Sequence, residues 1–217
     1  MKKESKRNFC IAVFLLVLFA VWTMLVSIVD VKPIGPQNSS VGFASLNLFF
    51  HNLTGVHMWF YTATDWLSII PLGIAAGFGV VGLKQWIERK SIFIVDYDII
   101  ALGVFYIAVL IVYILFEEIA LNFRPVLIEG KLEASYPSST TVLVLCVMLT
   151  AKMQSDMRIK NVRARKVADI LITVFTVFMV VGRTISGVHW LTDIIGGILL
   201  SAGLVMMHYS VIKQKRP

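Results

Sequence analysis

The residues best suited to chemistry lie between Arg183 and Asp193, in the stretch RTISGVHWLTD, which is followed at once by the apolar run IIGGILLSAGLVMM. Ionisable groups between strongly apolar segments are expensive to keep there and mark functional sites. His189 and Asp193 are four residues apart, so on a helix they share a face, close enough for the carboxylate to accept a hydrogen bond from one imidazole nitrogen. The other nitrogen is then left unprotonated and nucleophilic. Arg183 is six residues before His189, and a tight turn at Gly187 would bring its guanidinium back toward the ring. A forked cation beside an oriented imidazole suits a phosphate ester. The same residues also fit a plainer role, Asp and His capping a helix and an interfacial Arg reaching toward headgroups.

A second stretch, FEEIALNFRPVLIEGKLEASYPSSTT, offers companions to these groups. Arg124 followed by Pro125 marks a helix end or turn, because proline cannot continue the helical hydrogen bonding. Pro137 opens a new apolar segment whose first residues, Ser138, Ser139, Thr140 and Thr141, present hydroxyls and free backbone N–H groups. Such a helix start is a ready anion site. Ordinary capping by the Ser/Thr run and interfacial anchoring by Arg124 are the competing readings of each element taken singly. Together the three elements, at 124, 138–140 and 183–193, can converge on one phosphate.

The segments that must position them are membrane spans. Of 217 residues, 58% are hydrophobic and 15% charged, and the mean hydropathy is +0.81. This composition is that of an integral membrane protein. Six apolar segments of crossing length are expected, roughly at 8–29, 64–85, 98–119, 138–153, 167–181 and 190–212. All but Lys32, Arg124, Lys131 and Arg183 of the 20 Lys and Arg fall before the first span, after the second, between the fourth and fifth, or after the sixth. The positive-inside rule makes that side cytoplasmic and puts both termini there, from Lys2 at one end to Arg216 at the other. The net charge of +7 is therefore topology information and not a groove for nucleic acid. Attraction to anionic inner-leaflet lipid accounts for the most basic loop, KMQSDMRIKNVRARK.

Cys10 and Cys146 lie far apart within expected spans and read as small buried hydrophobes. The first apolar run is too long for a typical signal-peptide core and is read as a retained helix. Between the first two spans, 30–63 forms an outer segment in which VGFASLNLFFHNLTG is expected as a short interfacial helix, serving as lid, wall or covering. His51 and His57 have no nearby carboxylate or third ligand, so no metal site is expected. Asp65 reads as a helix cap or an outer-face polar contact. Gly196, Gly197, Ser201 and Gly203 permit close helix packing, within the bundle or between subunits of a homo-oligomer.

RTISGVHWLTD resembles the third signature of the type 2 phosphatidic acid phosphatase (PAP2) superfamily, in which Arg, five residues, His, three residues and Asp recur. Arg124-Pro125 and YPSST are similar to the first and second signatures, in the right order and on the same face. The resemblance implies an all-α, six-span bundle forming a single domain over 1–217, with the phosphate-site core at about 98–212. It further implies His189 as the nucleophile that becomes phosphohistidine and Asp193 as its orienter. Arg124, Arg183 and Ser138 would cradle the phosphoryl group, aided by backbone N–H groups near Ser139 and Thr140, with no metal or cofactor.

Three positions depart from the family pattern. Glu117 stands where the first signature has Lys, Thr140 where the second ends in His, the usual proton donor, and Gly182 where Ser precedes the third-signature Arg. Glu117 is counted two helical turns before Arg124, on roughly the same face, where a buried carboxyl beside a phosphate suits a replacement acid; pairing with Arg124 or Arg183 is its alternative. The function implied is hydrolysis of a lipid phosphate monoester or diphosphate, such as phosphatidic acid, phosphatidylglycerol phosphate or a polyprenyl diphosphate. The site is expected on the outer face, and the compact six-span chain with basic inner loops suits a bacterial plasma membrane. A lipid phosphotransferase and a non-catalytic phospholipid-binding member are the alternatives.

Overall fold

The computed structural model describes residues 3–215; Lys2 and Arg216, counted among the inner-face cations, lie outside them. The chain is all-helical: α1 (Lys3–Ile28), α2 (Ala44–Thr54), α3 (Met58–Leu67), α4 (Ile69–Arg89), α5 (Tyr97–Glu118), α6 (Ser139–Arg158), α7 (Val162–Ile185) and α8 (Leu191–Lys215). Among the described residues, five stretches are long and apolar enough to cross a membrane: α1, the α3–α4 pair taken together, α5, α7 and α8. The protein is thus a multi-pass membrane protein.

The fourth expected span, 138–153, folds as α6 but does not qualify by its own apolarity. Eleven of its residues are buried, among them Thr140, Thr141, Thr150, Gln154 and Ser155. A helix enclosed by other helices can satisfy polar side chains internally and does not need an apolar surface all round. The helices around it carry the lipid-like surface, with Phe14, Val80, Val104 and Ile170 exposed on α1, α4, α5 and α7.

The span expected at 64–85 is longer and broken. Pro71 has no N–H to give the Leu67 carbonyl, and the helix is interrupted at Ser68, whose hydroxyl turns back to the Thr64 carbonyl at 2.8 Å. α3 is thereby freed to lean over the end of the bundle that holds the candidate site.

α8 lies at the centre. A Cβ on Gly203 would come within 2.7 Å of the Leu16 side chain, and one on Gly196 within 2.6 Å of the Tyr136 ring. The small residues thus serve packing within the bundle. Tyr136 in turn stacks on Phe19, meets Phe116 edge-on and pairs its hydroxyl with Thr23 at 2.7 Å. Ser5 Oγ donates to the Ser210 carbonyl at 2.9 Å, bringing the two ends of the described chain together. At that same end Asp96 accepts from Gln85 and Arg89, both at 2.8 Å, and Arg158 donates to Asp98 at 2.5 Å.

Candidate active site

Two structures at the opposite end build the site. The first is the α5–α6 connection, which doubles back as a hairpin-like arm. Phe123 and Ala134 bridge across it, Arg124 N–H donates to the Glu133 carbonyl at 3.0 Å, and Ser135 N–H donates to the Asn122 carbonyl at 2.9 Å. This folding sets Asn122, Arg124 and Ser135 side by side. α5 ends at Glu118, so the helical register that was to put Glu117 and Arg124 on one face does not exist. Arg124 pairs instead with Glu133, Nε to Oε2 at 3.0 Å but too poorly aligned for a hydrogen bond.

The second is the turn between α7 and α8. Gly187 adopts φ +69, and a Cβ there would lie 2.2 Å from the Gly55 carbonyl oxygen. The linker before α3 presses directly on this turn, with His57 N–H donating to the Ser186 carbonyl at 2.9 Å. Asp193, at the third position of α8, accepts from Trp190 N–H through Oδ2 at 2.9 Å, half of a capping box. Asn47 of α2 donates to Thr192 Oγ1 at 2.9 Å and accepts from Thr192 N–H at 3.2 Å. The capping role considered for Asp193 is real, and it coexists with the role described next.

His189 lies before α8, not on it. Its Nδ1 is 3.8 Å from Asp193 Oδ2, so the direct hydrogen bond expected from the spacing is not made. Ser135 stands between them: its Oγ contacts His189 Nδ1 at 3.2 Å and makes a short hydrogen bond to Asp193 Oδ2. Asn122 donates to the other carboxylate oxygen at 3.1 Å. His189 Nε2 is buried and has no hydrogen-bond partner. Burial pushes the imidazole down to about 4, assisted by the charges of Arg124 and Arg183 and opposed by Asp193. The ring is therefore neutral at ordinary pH, with Nε2 able to act as a nucleophile.

Arg124 and Arg183 flank one aromatic ring, their guanidinium carbons 5.9 and 4.8 Å from the centre of Tyr61. Arg183 Nη1 donates to Thr64 Oγ1 at 3.2 Å and to the Tyr61 carbonyl at 3.3 Å, and its Nη2 is 3.6 Å from Asp65. Its Nε, together with Arg124 Nε and Nη1, is buried without a hydrogen-bond partner. Buried charged donors left unpaired are costly. Two guanidiniums with spare donors, brought together against their own repulsion, are an arrangement suited to an anion.

A cavity of about 450 Å³ opens between α4, α5 and α6. Most of its wall is apolar, including Leu72, Val109 and Phe116, while Glu117, Asp65, Ser135, Ser139 and Thr140 supply polar groups. Glu117, Ser139 and Thr140 are thus brought to one space. Ser138 is not among them: it is fully buried, its N–H donates to the Asp193 carbonyl at 3.1 Å, and its hydroxyl accepts from Thr141 at 3.0 Å.

Sequence reasoning passed over Ser135, Asn122, Asn47, Tyr61 and Glu133, and gave Asp65 only a capping or surface role. Ser135 and Asn122 sat within the quoted stretches beside Tyr136 and Arg124, where two small polar residues near a ring-stacking Tyr and a buried Arg were the available signal. Asn47, Tyr61 and Asp65 reach the site only through the folding of α2 and α3 over it, which no local spacing records.

A comparison with curated proteins finds no match. The crystal structure of a transmembrane PAP2-type phosphatidylglycerolphosphate phosphatase from Bacillus subtilis superposes with a TM-score of 0.65. The match has 16% sequence identity and covers 94% of this chain and 97% of that one, a likeness of fold. The PAP2 superfamily model matches residues 102–217, more than half of the sequence, and on that match this chain belongs to the PAP2 superfamily.

Proposed function

We propose that this protein is a membrane lipid phosphate phosphatase that acts through a phosphohistidine at His189, and that it prefers a phosphate monoester to a diphosphate. The observation that carries this reading is the buried, unpartnered Nε2 of a neutral His189 within the field of two buried arginines, each of which keeps at least one buried donor without a hydrogen bond. Family membership and the fold likeness to a lipid phosphate phosphatase support a phosphatase-type activity. The apolar cavity beside the site suits an acyl chain.

Nε2 attacks phosphorus in line with the lipid oxygen, and the Nε2–P bond forms as the P–O bond to the lipid breaks. The departing oxygen needs a proton. Asp65 and Glu117 both line the cavity, but Asp65 is engaged with Arg183, which leaves Glu117 as the donor. Water then attacks phosphorus, its proton returns to Glu117, the Nε2–P bond breaks, and inorganic phosphate departs. Arg124 and Arg183 hold the equatorial oxygens, where charge develops, and Ser139 and Thr140 offer hydroxyls at the cavity wall.

The preference for a monoester follows from charge. Two arginines face Glu133 and Asp65, and Glu117 stands where the family has a cation, so the site lacks that third positive charge. That balance accommodates one phosphate better than two. The site takes partners from α2 and α3 as well as from the later helices, so the chain acts as one unit. The cation distribution supports a site on the outer face, with both termini inside.

The test is phosphate release by purified protein in detergent from phosphatidic acid, phosphatidylglycerol phosphate and a polyprenyl diphosphate. The expected result is release that is lost in His189→Ala and faster on the monoesters. No release above the His189→Ala control on any substrate would overturn the hydrolase reading, and a faster diphosphate reaction would overturn the preference.

A further inference from the structure

We propose that Ser135 is a positioning residue that carries the link between His189 and Asp193, so that the orienting unit is His–Ser–Asp rather than His–Asp. This rests on the phosphohistidine reading and names a further part of the same site. Both oxygens of Asp193 are engaged elsewhere, and neither reaches the imidazole in this arrangement. Oδ2 accepts from Trp190 N–H and from Ser135, Oδ1 accepts from Asn122, and the nearest approach to His189 Nδ1 is 3.8 Å, too long for a hydrogen bond.

The direction of the two Ser135 bonds follows from what each group can do. A carboxylate only accepts, and a serine hydroxyl has one hydrogen to give and two lone pairs to accept with. That hydrogen goes to Asp193 Oδ2. The 3.2 Å contact with His189 must then run from Nδ1–H to Ser135 Oγ. The proton is fixed on Nδ1 and the lone pair on Nε2, the tautomer that attack on phosphorus requires.

When the Nε2–P bond forms, positive charge spreads over the ring. The Nδ1–H bond to Ser135 shortens, Ser135 is held by Asp193, and no proton leaves the ring. When the Nε2–P bond breaks, the ring returns to its neutral form with the same proton in place. The hydroxyl thus does for the ring what a directly bound carboxylate would do. Its own position is fixed on three sides, by its N–H on the Asn122 carbonyl, by the burial of Tyr136 against α1 and by the capping carboxylate of Asp193. The charges acting on His189 are Asp193 on α8, Arg183 on α7 and Arg124 on the arm, and none of them contacts Nδ1 as closely as Ser135.

The experiment compares the natural chain with Ser135→Ala, Ser135→Cys and Ser135→Thr by two readouts. The first is kcat and KM for phosphate release from a lipid phosphate monoester. The second is the nitrogen NMR signature of His189 in substrate-free protein, which reports the ring tautomer without turnover. Ser135→Ala is expected to lower kcat by about tenfold to a hundredfold with KM little changed, the scale seen when a group that orients a histidine is removed. It should also convert His189 from a single Nδ1–H tautomer to a mixture. Ser135→Thr keeps the hydroxyl and should restore both readouts, while Ser135→Cys, with a weak S–H donor, should fall between. Natural kcat and an unchanged tautomer in Ser135→Ala would overturn the proposal, as would a Ser135→Cys protein indistinguishable from the natural chain. The two readings separate cleanly. His189-dependent release that ignores Ser135 removes the relay alone, whereas a Ser135-dependent tautomer in a protein that releases no phosphate removes the hydrolase and keeps the relay.

Discussion

Gly187→Ala is the sharpest test of how the turn that carries His189 is held. At φ +69 the residue sits in the left-handed region, where an L side chain costs about 1–2 kcal/mol. The new Cβ would also lie 2.2 Å from the Gly55 carbonyl oxygen and 3.0 Å from Val56 Cα, both backbone. Neither neighbour is a side-chain tip that can swing aside, so the turn or the linker must move by roughly 1 Å, adding about 1–3 kcal/mol of overpacking strain. The turn carries His189 two residues later, and a displacement on the order of 1 Å at a reacting group costs about a hundredfold in rate. Gly130→Ala is the control: φ is +76, and a Cβ there meets nothing within 4 Å. It pays only the conformational cost and leaves the site in place. Thermal unfolding and phosphate release in detergent should show Gly130→Ala modestly destabilised and fully active, and Gly187→Ala more destabilised and about a hundredfold slower. If the two variants behaved alike in both assays, the docking of the 55–57 linker on that turn would not be what positions His189.

Arg183→Lys keeps the charge but loses the fork that reaches Thr64, the Tyr61 carbonyl and a phosphate together, and kcat/KM should fall by about tenfold to a hundredfold, or about 1.4–3 kcal/mol; an unchanged value would mean that Arg183 does not hold the substrate. Asn122→Leu leaves Asp193 Oδ1 buried without its donor, which should cost about 1–3 kcal/mol of stability and lower kcat with it; a variant as stable as the natural chain would show that water or another donor replaces Asn122. His189 should titrate near pH 4 by NMR rather than near its ordinary 6.5, because burial disfavours its charged form. The sign is that a depressed pKa keeps the ring neutral from neutral pH down to about pH 5, so Nε2 remains available throughout that range, and a midpoint near 6.5 would refute the buried site.

The sequence was most informative where one short window contains both the residue and its reason. His189, Asp193, Arg183 and the turn at Gly187 lie within such a window, and all four are brought together in the structure. Long apolar runs marked α1, α5, α7 and α8 for the same reason, since each must satisfy lipid along its whole length. Two expectations failed where the deciding contact is remote. Glu117 was placed beside Arg124 by continuing a helix that ends at Glu118, and the arm that follows gives Arg124 a different partner, Glu133, across a bridge no periodicity encodes. Ser138 was assigned to the phosphate through the resemblance of YPSST to the second signature, yet its N–H ties the start of α6 to Asp193 of α8 and its hydroxyl accepts from Thr141 within α6. The helix break at Ser68 was half visible in Pro71, but its consequence, α3 delivering Tyr61, Thr64 and Asp65 to Arg183, depends on where the freed helix lands.

The atoms that fold the site and the atoms that run it are largely the same, and this limits how the site can change. Asp193 Oδ2 caps α8 through Trp190 N–H and accepts from Ser135, so removing the carboxylate loosens the helix start and the nucleophile in one step. Asn122 holds Asp193 and, through its carbonyl, Ser135. Substitutions here therefore couple stability to activity, whereas Glu117 and Thr140 sit on the cavity wall and hold nothing else in place. The two departures from the family's Lys and His positions, Glu117 and Thr140, fall on this wall, whereas Asn122 and Ser135 are bonded to Asp193 and Ser135 Oγ contacts His189 Nδ1. The expectation that follows is directional. Glu117→Gln should leave the unfolding temperature unchanged while lowering kcat, and Asp193→Asn should lower both; a Glu117→Gln protein that unfolds earlier than the natural chain would show that the wall, too, is part of the frame.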